Sequence, residues 1–483
     1  MKILKLTCTL IMYYHAYNMK SKQILHLLVL LHLYAPCAVA TGNLTTVVGM
    51  GPAGLLAAYH QLELGHHVTI VEERADPFTR HRRTGLSPSF LRHITRHLSD
   101  LEAKGYTLKY PDTRKQGDYT FQLVLNQKLK PGFTDSGISS TDQDMMQLII
   151  KEYGIVSIQS VQKYLLQKIQ DLLASRENTG VSFKIIKATS VVGIDSANGA
   201  LLLSEGAPLP FDNLIIAEGA ARTLSSKLFA AHGQDLKEIS LPLLHVGQKT
   251  YGIISIALKN VTAETIEAIR QRPIISPFIH NSSHLKLGHL QFLKALGWNQ
   301  DILPIIYIQY VTDKQQFYFS CETPEAWSKM QFKLLSDTLQ RFAKAVIKIE
   351  YPYLKTGTLE LATINGRSSA TTFISSPNYI ANPYLELENN RRIFIIGDAL
   401  FESNFLFGHG LKNAASSAYA VARSFDLDGN FVSAKPVLAG LKSLRASHLK
   451  NNYSYKALLY LNKHPVQKEF ALAARSSLAR IYR

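Results

Sequence analysis

The stretch Thr45–Arg74, TTVVGMGPAGLLAAYHQLELGHHVTIVEER, decides the fold. Thr45–Val48 is a short β-branched run and predicts a buried strand. It leads directly into Gly49-Met-Gly51-Pro-Ala53-Gly54, a complete G-x-G-x-x-G. Leu55–Leu64 predicts a helix that Gly65 stops, and Val68–Val71 a second strand ending at Glu72. In this pattern Gly49 permits the tight turn, Gly51 lets the backbone approach a pyrophosphate, and Gly54 lets helix and strand pack closely. The helix N-terminus turns free N–H groups and a positive dipole end toward phosphate. Glu72, with Glu73 beside it, stands where an acid accepts the ribose hydroxyls of an adenine dinucleotide. Strand, glycines, helix, second strand and acid agree, so this segment predicts a dinucleotide-binding βαβ unit.

At 483 residues the chain exceeds one ordinary domain, and 46% apolar content supplies a substantial core. The net charge of +17 is concentrated in the tails. Residues 1–40 hold four lysines and no acid, while 435–483 hold ten Lys or Arg and a single acid, Glu469. The body between them is nearly balanced, which argues against a nucleic-acid binder. Three cysteines, Cys8, Cys37 and Cys321, exclude a disulfide framework and a C-x-x-C metal pair, so no metal site is expected.

Residues 1–40 have the pattern of a targeting segment. Met19-Lys-Ser-Lys22 is a basic start, Ile24–Tyr34 a leucine-rich stretch, and Ala38-Val-Ala40 an A-x-A cleavage site. The leucine-rich stretch is short for a membrane span. The expectation is export by a signal peptide, with an uncleaved membrane anchor as the rival reading.

Further along, a basic cluster runs from Arg80 to Arg83, and Leu86–Leu101 predicts a helix after Ser87-Pro88. The cluster reads either as phosphate-facing or as a solvated loop. Tyr119–Leu125 is strand-like. Val156–Leu173 is an amphipathic helix, followed by strands Phe183–Ile186, Ser190–Ile194 and Ala200–Leu203. Phe211–Leu224 carries a buried strand that ends in Ala217-Glu218-Gly219, as if returning to the first sheet. Residues 240–385 change character. The strands expected there are Tyr251–Leu258, Leu285–Phe292, Ile302–Val311 and Phe317–Cys321, with one helix over about Ala326–Glu350. Arg392–Ile396 is an apolar strand ending at Gly397-Asp398, followed by Gly408-His-Gly410 and an Ala/Ser-rich helix to Arg423. A carboxylate at a buried strand end can accept sugar hydroxyls, and a Gly-x-Gly loop at a helix start aims N–H groups at negative charge. Val437, Leu438, Leu441 and Leu444 are expected on one face of a basic C-terminal helix. That tail reads either as helices packed on the first domain or as a peripheral contact with anionic membrane.

Taken together, these motifs resemble, in order and separation, the flavoprotein monooxygenases of the p-hydroxybenzoate hydroxylase fold. Within them, Val71-Glu-Glu-Arg74 with Phe78-Thr-Arg80 is similar to the MICAL subgroup, as are Ser157–Leu166, Phe211–Leu224, Gly397–Glu402 with Gly408–Gly410 and, faintly, Tyr307–Gln315. The departures are Glu218-Gly219 where that family has Asp-Gly, Gln159 where it has a helix Arg, and Ser403-Asn404 in place of its Pro.

The resemblance implies an α/β protein. A Rossmann-like FAD domain (41–239 and 386–425) would carry an inserted mainly β substrate domain (240–385) and a basic helical C-terminus (426–483). It implies FAD, transient NAD(P)H as reductant, and oxygen activation as a flavin hydroperoxide. By matched position, Gly49, Gly51, Ala53 and Gly54 would hold the pyrophosphate, and Glu72 the adenosine ribose. Arg74 and Arg80 would line the phosphate side. Gly397 and Asp398 would meet the ribityl chain, and Gly408 to Lys412 the flavin ring edge, with Gly410 among them. His409 and Tyr307 are weaker candidates near the ring. No nucleophile–base pair is evident, and the catalytic residues and substrate stay open. The alternatives are a flavin-dependent reductase and a non-catalytic flavin-fold interaction protein.

Overall fold

The computed structural model describes residues 43–79, 82–85, 155–176, 180–231, 249–275, 283–355, 357–364, 367–375, 378–403 and 410–448, with a few positions between 141 and 148. The targeting segment 1–40, Arg80, the expected helix Leu86–Leu101, the expected strand Tyr119–Leu125, Gly408, His409 and the tail beyond 448 lie outside these residues.

In chain order the first part contains β1 (Leu44–Val48), α1 (Pro52–Glu63), β2 (His67–Val71), β3 (Arg83–Gly85), β4 (Ile155–Ser157), α2 (Ile158–Ala174) and β5 (Phe183–Ile186). An antiparallel flap of β6 (Val191–Asp195), β7 (Ala200–Leu203) and β8 (Leu209–Pro210) follows. The chain then returns through β9 (Asn213–Ile216) and α3 (Thr223–Ala231). β1 pairs in parallel with both β2 and β9, so Val47 lies between Ile70 and Ile215. Each of these side chains is fully buried, as expected for strands covered on both faces. α1 is the crossover between the parallel strands β1 and β2, a connection that is right-handed as a rule.

The second part runs through β10 (Lys249–Leu258), α4 (Ala263–Arg270), β11 (Ile274–Ile275), α5 (Leu290–Ala295), β12 (Ile306–Val311), β13 (Gln316–Thr323), α6 (Glu325–Ser328) and α7 (Phe332–Glu350). Short strands β14 (Leu359–Leu361), β15 (Thr363–Ile364), β16 (Arg367–Ser368), β17 (Thr371–Ser375) and β18 (Asn378–Tyr379) complete it. The antiparallel order is β11-β12-β13-β10-β14, with β17 also on β10. Alternation along the strands separates two faces. Ile306, Ile308, Phe317 and Phe319 pack with Leu339, Phe342 and Val346 of α7. Tyr307, Gln309 and Tyr318, at the intervening positions, point the other way.

Two expectations for this region fail. Leu285–Phe292 is not a strand: a 3₁₀ turn at Leu287–His289 leads into α5. Leu287, Leu290 and Leu293 recur at helical spacing, and Leu293 is the one fully buried. The expected helix Ala326–Glu350 is broken into α6 and α7 across 329–331, where the Trp327 side chain turns into the core against Phe342. β12 starts only at Ile306, past Pro304, which has no N–H for a ladder.

A buried charge anchors the far face. Glu350, fully buried, accepts from Arg272 Nη2 (2.8 Å), the His284 and Leu285 amides (2.7 and 3.1 Å) and the Ser283 hydroxyl.

The chain finally rejoins the first sheet through β19 (Tyr384–Glu386) and β20 (Arg392–Ile395), which extend the order to β19-β20-β9-β1-β2-β5. Then come α8 (Gly397–Leu400), β21 (Phe401–Glu402), α9 (Gly410–Ala422) and α10 (435–448). Ala414, Ala415 and Ala418 of α9 pack against the Ala57–Ala58 side of α1, where small side chains allow close approach. α10 docks on this part: Val437 joins one core cluster, Leu441 and Leu444 another. Leu438, expected on the same face, is 43% exposed because it follows Val437 around the helix. No helix among the described residues is long and apolar enough to cross a membrane.

Candidate functional site

The ends of β1, β9 and β20 lie side by side. Ala217 N donates to Val48 O (2.8 Å), Ile396 N to Ile216 O (3.0 Å) and Gly49 N to Val71 O (2.8 Å). The three motifs of the sequence therefore meet at one edge, outside the carboxyl ends of the strands, where open α/β sheets bind ligands.

At its centre is the glycine loop. Gly49 has φ +99°, a region that favours glycine, and a Cβ there would lie 2.6 Å from Ala217 O. A Cβ at Gly54 would lie 1.9 Å from Gly49 O, so α1 and the loop touch backbone to backbone. Gly51 is different: a Cβ there meets nothing within 4 Å. It caps α1 without any side-chain hydrogen bond, and Pro52 opens the helix. The first-turn amides of α1 thus face an open space, the arrangement that takes a phosphate.

Glu72 is 3% exposed and holds this loop from below. Its carboxylate accepts from Met50 N (2.7 Å), Arg74 N (3.0 Å) and Arg74 Nε (2.6 Å). Arg74 Nη1 donates to Pro77 O (3.2 Å). The Arg74 guanidinium, expected on the phosphate side, is thus committed to Glu72 and Pro77; Glu73 points to solvent. Burial by itself would raise the Glu72 carboxyl, but Arg74 and the Met50 amide outweigh it and hold the group below its usual range. The unfolded chain therefore protonates first as pH falls. The stabilisation is complete above the ordinary glutamate pKa of about 4.3 and is lost on going down through the lower native value. The urea midpoint should fall through that window, and Glu72→Gln should flatten the fall. Identical pH profiles for the two proteins would remove Glu72 from this role.

Gln162 of α2 donates Nε2 to Met50 O (2.7 Å), and its Oε1 is buried with no partner. Gly397 has φ +63°, and a Cβ there would lie 2.7 Å from that of Ala53, so the Gly-Asp turn rests on the first turn of α1. Ser417 of α9 accepts from Gly397 N (3.0 Å) and fixes that turn to the helix. Asp398 is exposed on the cleft side, its Oδ1 3.6 Å from a Cβ built on Gly410 at the start of α9. Asn413 Nδ2, one turn into α9, is buried with no partner. The structure thus brings Gly49, Gly51, Ala53, Gly54, Glu72, Gly397, Asp398 and Gly410 together.

Arg222, which the sequence reading passed over, and Glu218, which it noted only as a departure from Asp-Gly, complete the frame. Arg222, buried and at φ +52°, donates Nε to Ala399 O (2.8 Å) and Nη2 to Asp398 O (3.2 Å). It fastens the loop after β9 to the Gly-Asp turn. Glu218, in the family's Asp-Gly position, caps α3 by accepting from the Leu224 and Ser225 amides (2.7 and 2.9 Å). A longer acid can still serve this capping role. Only the small-residue turn Gly219-Ala-Ala hinted at Arg222 in the sequence.

No known protein-family profile matches the chain, and no curated protein matches it in sequence. Solved structures do. The flavin-dependent brominase Bmp2 aligns at TM-score 0.50 and 13% identity over 91% of this chain and 93% of its own. The fold is that of the p-hydroxybenzoate hydroxylase-like flavoproteins. Also similar are 2-methyl-3-hydroxypyridine-5-carboxylic acid oxygenase (TM-score 0.43, 15% identity, 88% of this chain and 94% of that one) and the flavin-dependent halogenase CmlS (0.46, 14%, 87% and 63%). The chain spans less than two thirds of CmlS. The expected p-hydroxybenzoate hydroxylase-like fold is borne out by the Bmp2 likeness, and nothing in the comparisons singles out the MICAL subgroup.

Proposed function

We propose that the chain is an FAD-dependent oxidoreductase, a monooxygenase that takes electrons from NAD(P)H and uses O2. The observation that carries this is the meeting of three glycine-rich strand ends around the open space at Gly51, on elements that also carry buried, unpaired polar atoms at Gln162 and Asn413. FAD fits these residues. The α1 amides and Gly51 would take the pyrophosphate, Glu72 the adenosine ribose, Asp398 the ribityl hydroxyls, and the start of α9 at Gly410 the polar edge of the ring. FAD supplies two-electron transfer and oxygen chemistry when bound. The chain's own part is to fix the cofactor's position and to shield it, which is why no catalytic triad is needed.

The test is the colour and oxygen use of the purified full chain. A yellow protein with NADPH-dependent oxygen uptake supports the proposal. Flavin without oxygen uptake points to the reductase alternative, and a colourless chain that takes up no FAD sinks it. Gly51→Glu sharpens the test, because the site is open: the variant should fold normally yet place an anion where the pyrophosphate sits. Fully flavin-loaded Gly51→Glu protein would move the cofactor elsewhere.

A further inference from the structure

The turn between α9 and α10 is held firmly, yet it presents apolar side chains to water. Asp426 Oδ1 accepts from the Asp428 and Asn430 amides (3.0 and 2.8 Å), and Asp426 N donates to Asn430 O (2.9 Å). Gly429, at φ +76°, presses on the end of α1: a Cβ there would lie 2.7 Å from Leu64 O. Gly429 O accepts from Asn43 Nδ2 (2.7 Å) and from His66 Nε2 (2.9 Å), which fixes the turn to the first domain. Asn43 precedes β1 and His66 precedes β2, so the turn sits at the amino ends of the strands, opposite the cleft. Its tip is Leu427, at 88% the most exposed large apolar side chain among the described residues. Val432 and Leu438, 67% and 43% exposed, follow close behind. Holding these side chains in water forgoes the stabilisation that burying them would give.

α10 divides its two flanks by helical spacing. Val437, Leu441, Leu444 and His448 are buried against the first domain. Lys435, Leu438, Lys442 and Arg445, spaced by three, four and three positions, share another flank, and all four are exposed. Arg445 also lies over the Tyr379 ring, 4.6 Å from the centroid, while Lys435 and Lys442 reach into solvent. Charge along this segment has one sign. Residues 431–468 hold seven Lys or Arg and no acid, and Asp426 and Asp428 of the turn are the only acids from 424 to 468. Exposed leucines among cations discriminate between polyanions. The phosphates of a nucleic acid would take the lysines but offer nothing to Leu427, Val432 and Leu438. A bilayer surface takes both, the charges at its headgroups and the apolar tips at the acyl boundary.

We propose that the α9–α10 turn and the exposed flank of α10 form a docking surface for an anionic lipid bilayer. Leu427 would enter the headgroup boundary, and Lys435, Lys442 and Arg445 would face acidic headgroups. α10 thus packs with one flank and docks with the other. Each cation near such a surface is worth roughly fivefold in affinity, and the attraction fades beyond about 10 Å at 0.1 M salt. Docking at the amino ends of the strands leaves the cleft at their carboxyl ends open, so this surface stands independently of what the cleft binds.

The experiment is co-sedimentation of the full chain with pure phosphatidylcholine vesicles and with vesicles in which about a third of the lipid is phosphatidylserine, at low and at high salt. The leucine-rich N-terminal stretch is present in every sample, so the readout is the preference for anionic over neutral vesicles. That preference should be about tenfold or more at low salt and should shrink sharply at high salt. Lys435→Glu combined with Lys442→Glu should remove most of it. Leu427→Ser should weaken binding to the anionic vesicles several-fold and leave the salt dependence as it was. All three side chains are exposed, so both variants should keep the parent's urea midpoint, which certifies their fold. Equal binding to the two kinds of vesicle at low salt, an undiminished preference in the folded double variant, or Leu427→Ser binding as tightly as the parent each overturns the proposal. A chain that ignores both vesicles but binds a DNA duplex overturns it too. The flavin reading is tested separately: a colourless chain that still prefers anionic vesicles strikes only that reading, and a flavin-loaded chain with no such preference strikes only this one.

Discussion

Gly54→Ala should weaken flavin binding by up to roughly a hundredfold and destabilise the first domain. The added methyl would sit 1.9 Å from Gly49 O, 3.1 Å from Gly49 C and 3.3 Å from Val47 Cγ1. Two of these atoms are backbone and cannot swing aside. α1 must then move off β1, or the glycine loop must open, and either displaces the first-turn amides from the phosphate position. Overpacking of this kind costs about 1–3 kcal/mol or more. At 1.4 kcal/mol per tenfold, the upper end corresponds to roughly a hundredfold in affinity if it falls on the bound conformation. The control is Gly51→Ala, where a methyl meets open space and the fold should not change. Urea midpoints and flavin content of the two variants settle the matter. A Gly54→Ala protein as stable and as yellow as the parent would mean that the close packing is not what sets the loop.

Glu350→Ala should be the most damaging single change outside the nucleotide site. Removing it leaves the Arg272 guanidinium, the Ser283 hydroxyl and two backbone amides without their shared acceptor. Breaking a buried ion pair by deleting one partner costs about 3–5 kcal/mol. The urea transition of the second domain should shift accordingly. Any flavin the folded fraction binds should be normal, because α7 lies on the face of the second sheet away from the cleft. A paired change, Glu350→Leu with Arg272→Met, removes both charges and should recover much of the loss. Should Glu350→Ala unfold at the parent's midpoint, the network is decorative.

These two sites differ in how legible they were. The Gly54 contact follows from a local pattern, since strand, turn, helix and second strand are contiguous and their periods are set by neighbours in the chain. Glu350 ends an ordinary amphipathic helix, and nothing beside it in sequence announces that Arg272 and Ser283 will reach it. The second domain was read less well for the same reason. The apolar run Leu285–Phe292 fits a strand or a helix equally, and only packing chose the helix. The break between α6 and α7 was likewise hidden in a continuous helical pattern, because tertiary burial of Trp327 decides it.

The amino-acid sequence by itself determined the βαβ unit, the order of the three strand-end motifs and the docking potential of the first C-terminal helix. Each is written in residues close together in the chain, through glycine geometry, β-branched runs and helical spacing. Only the tertiary structure decided what those residues do to one another. Arg74, expected at the phosphates, is held by Glu72 two positions away. Arg222 reaches across to the Gly-Asp turn. Arg82, one of a cluster that reads equally well as a solvated loop, lies on Phe373 of another sheet. A guanidinium's partners are set by which backbone passes within its reach. Here those backbones are far apart in sequence, and only the folded chain brings them together.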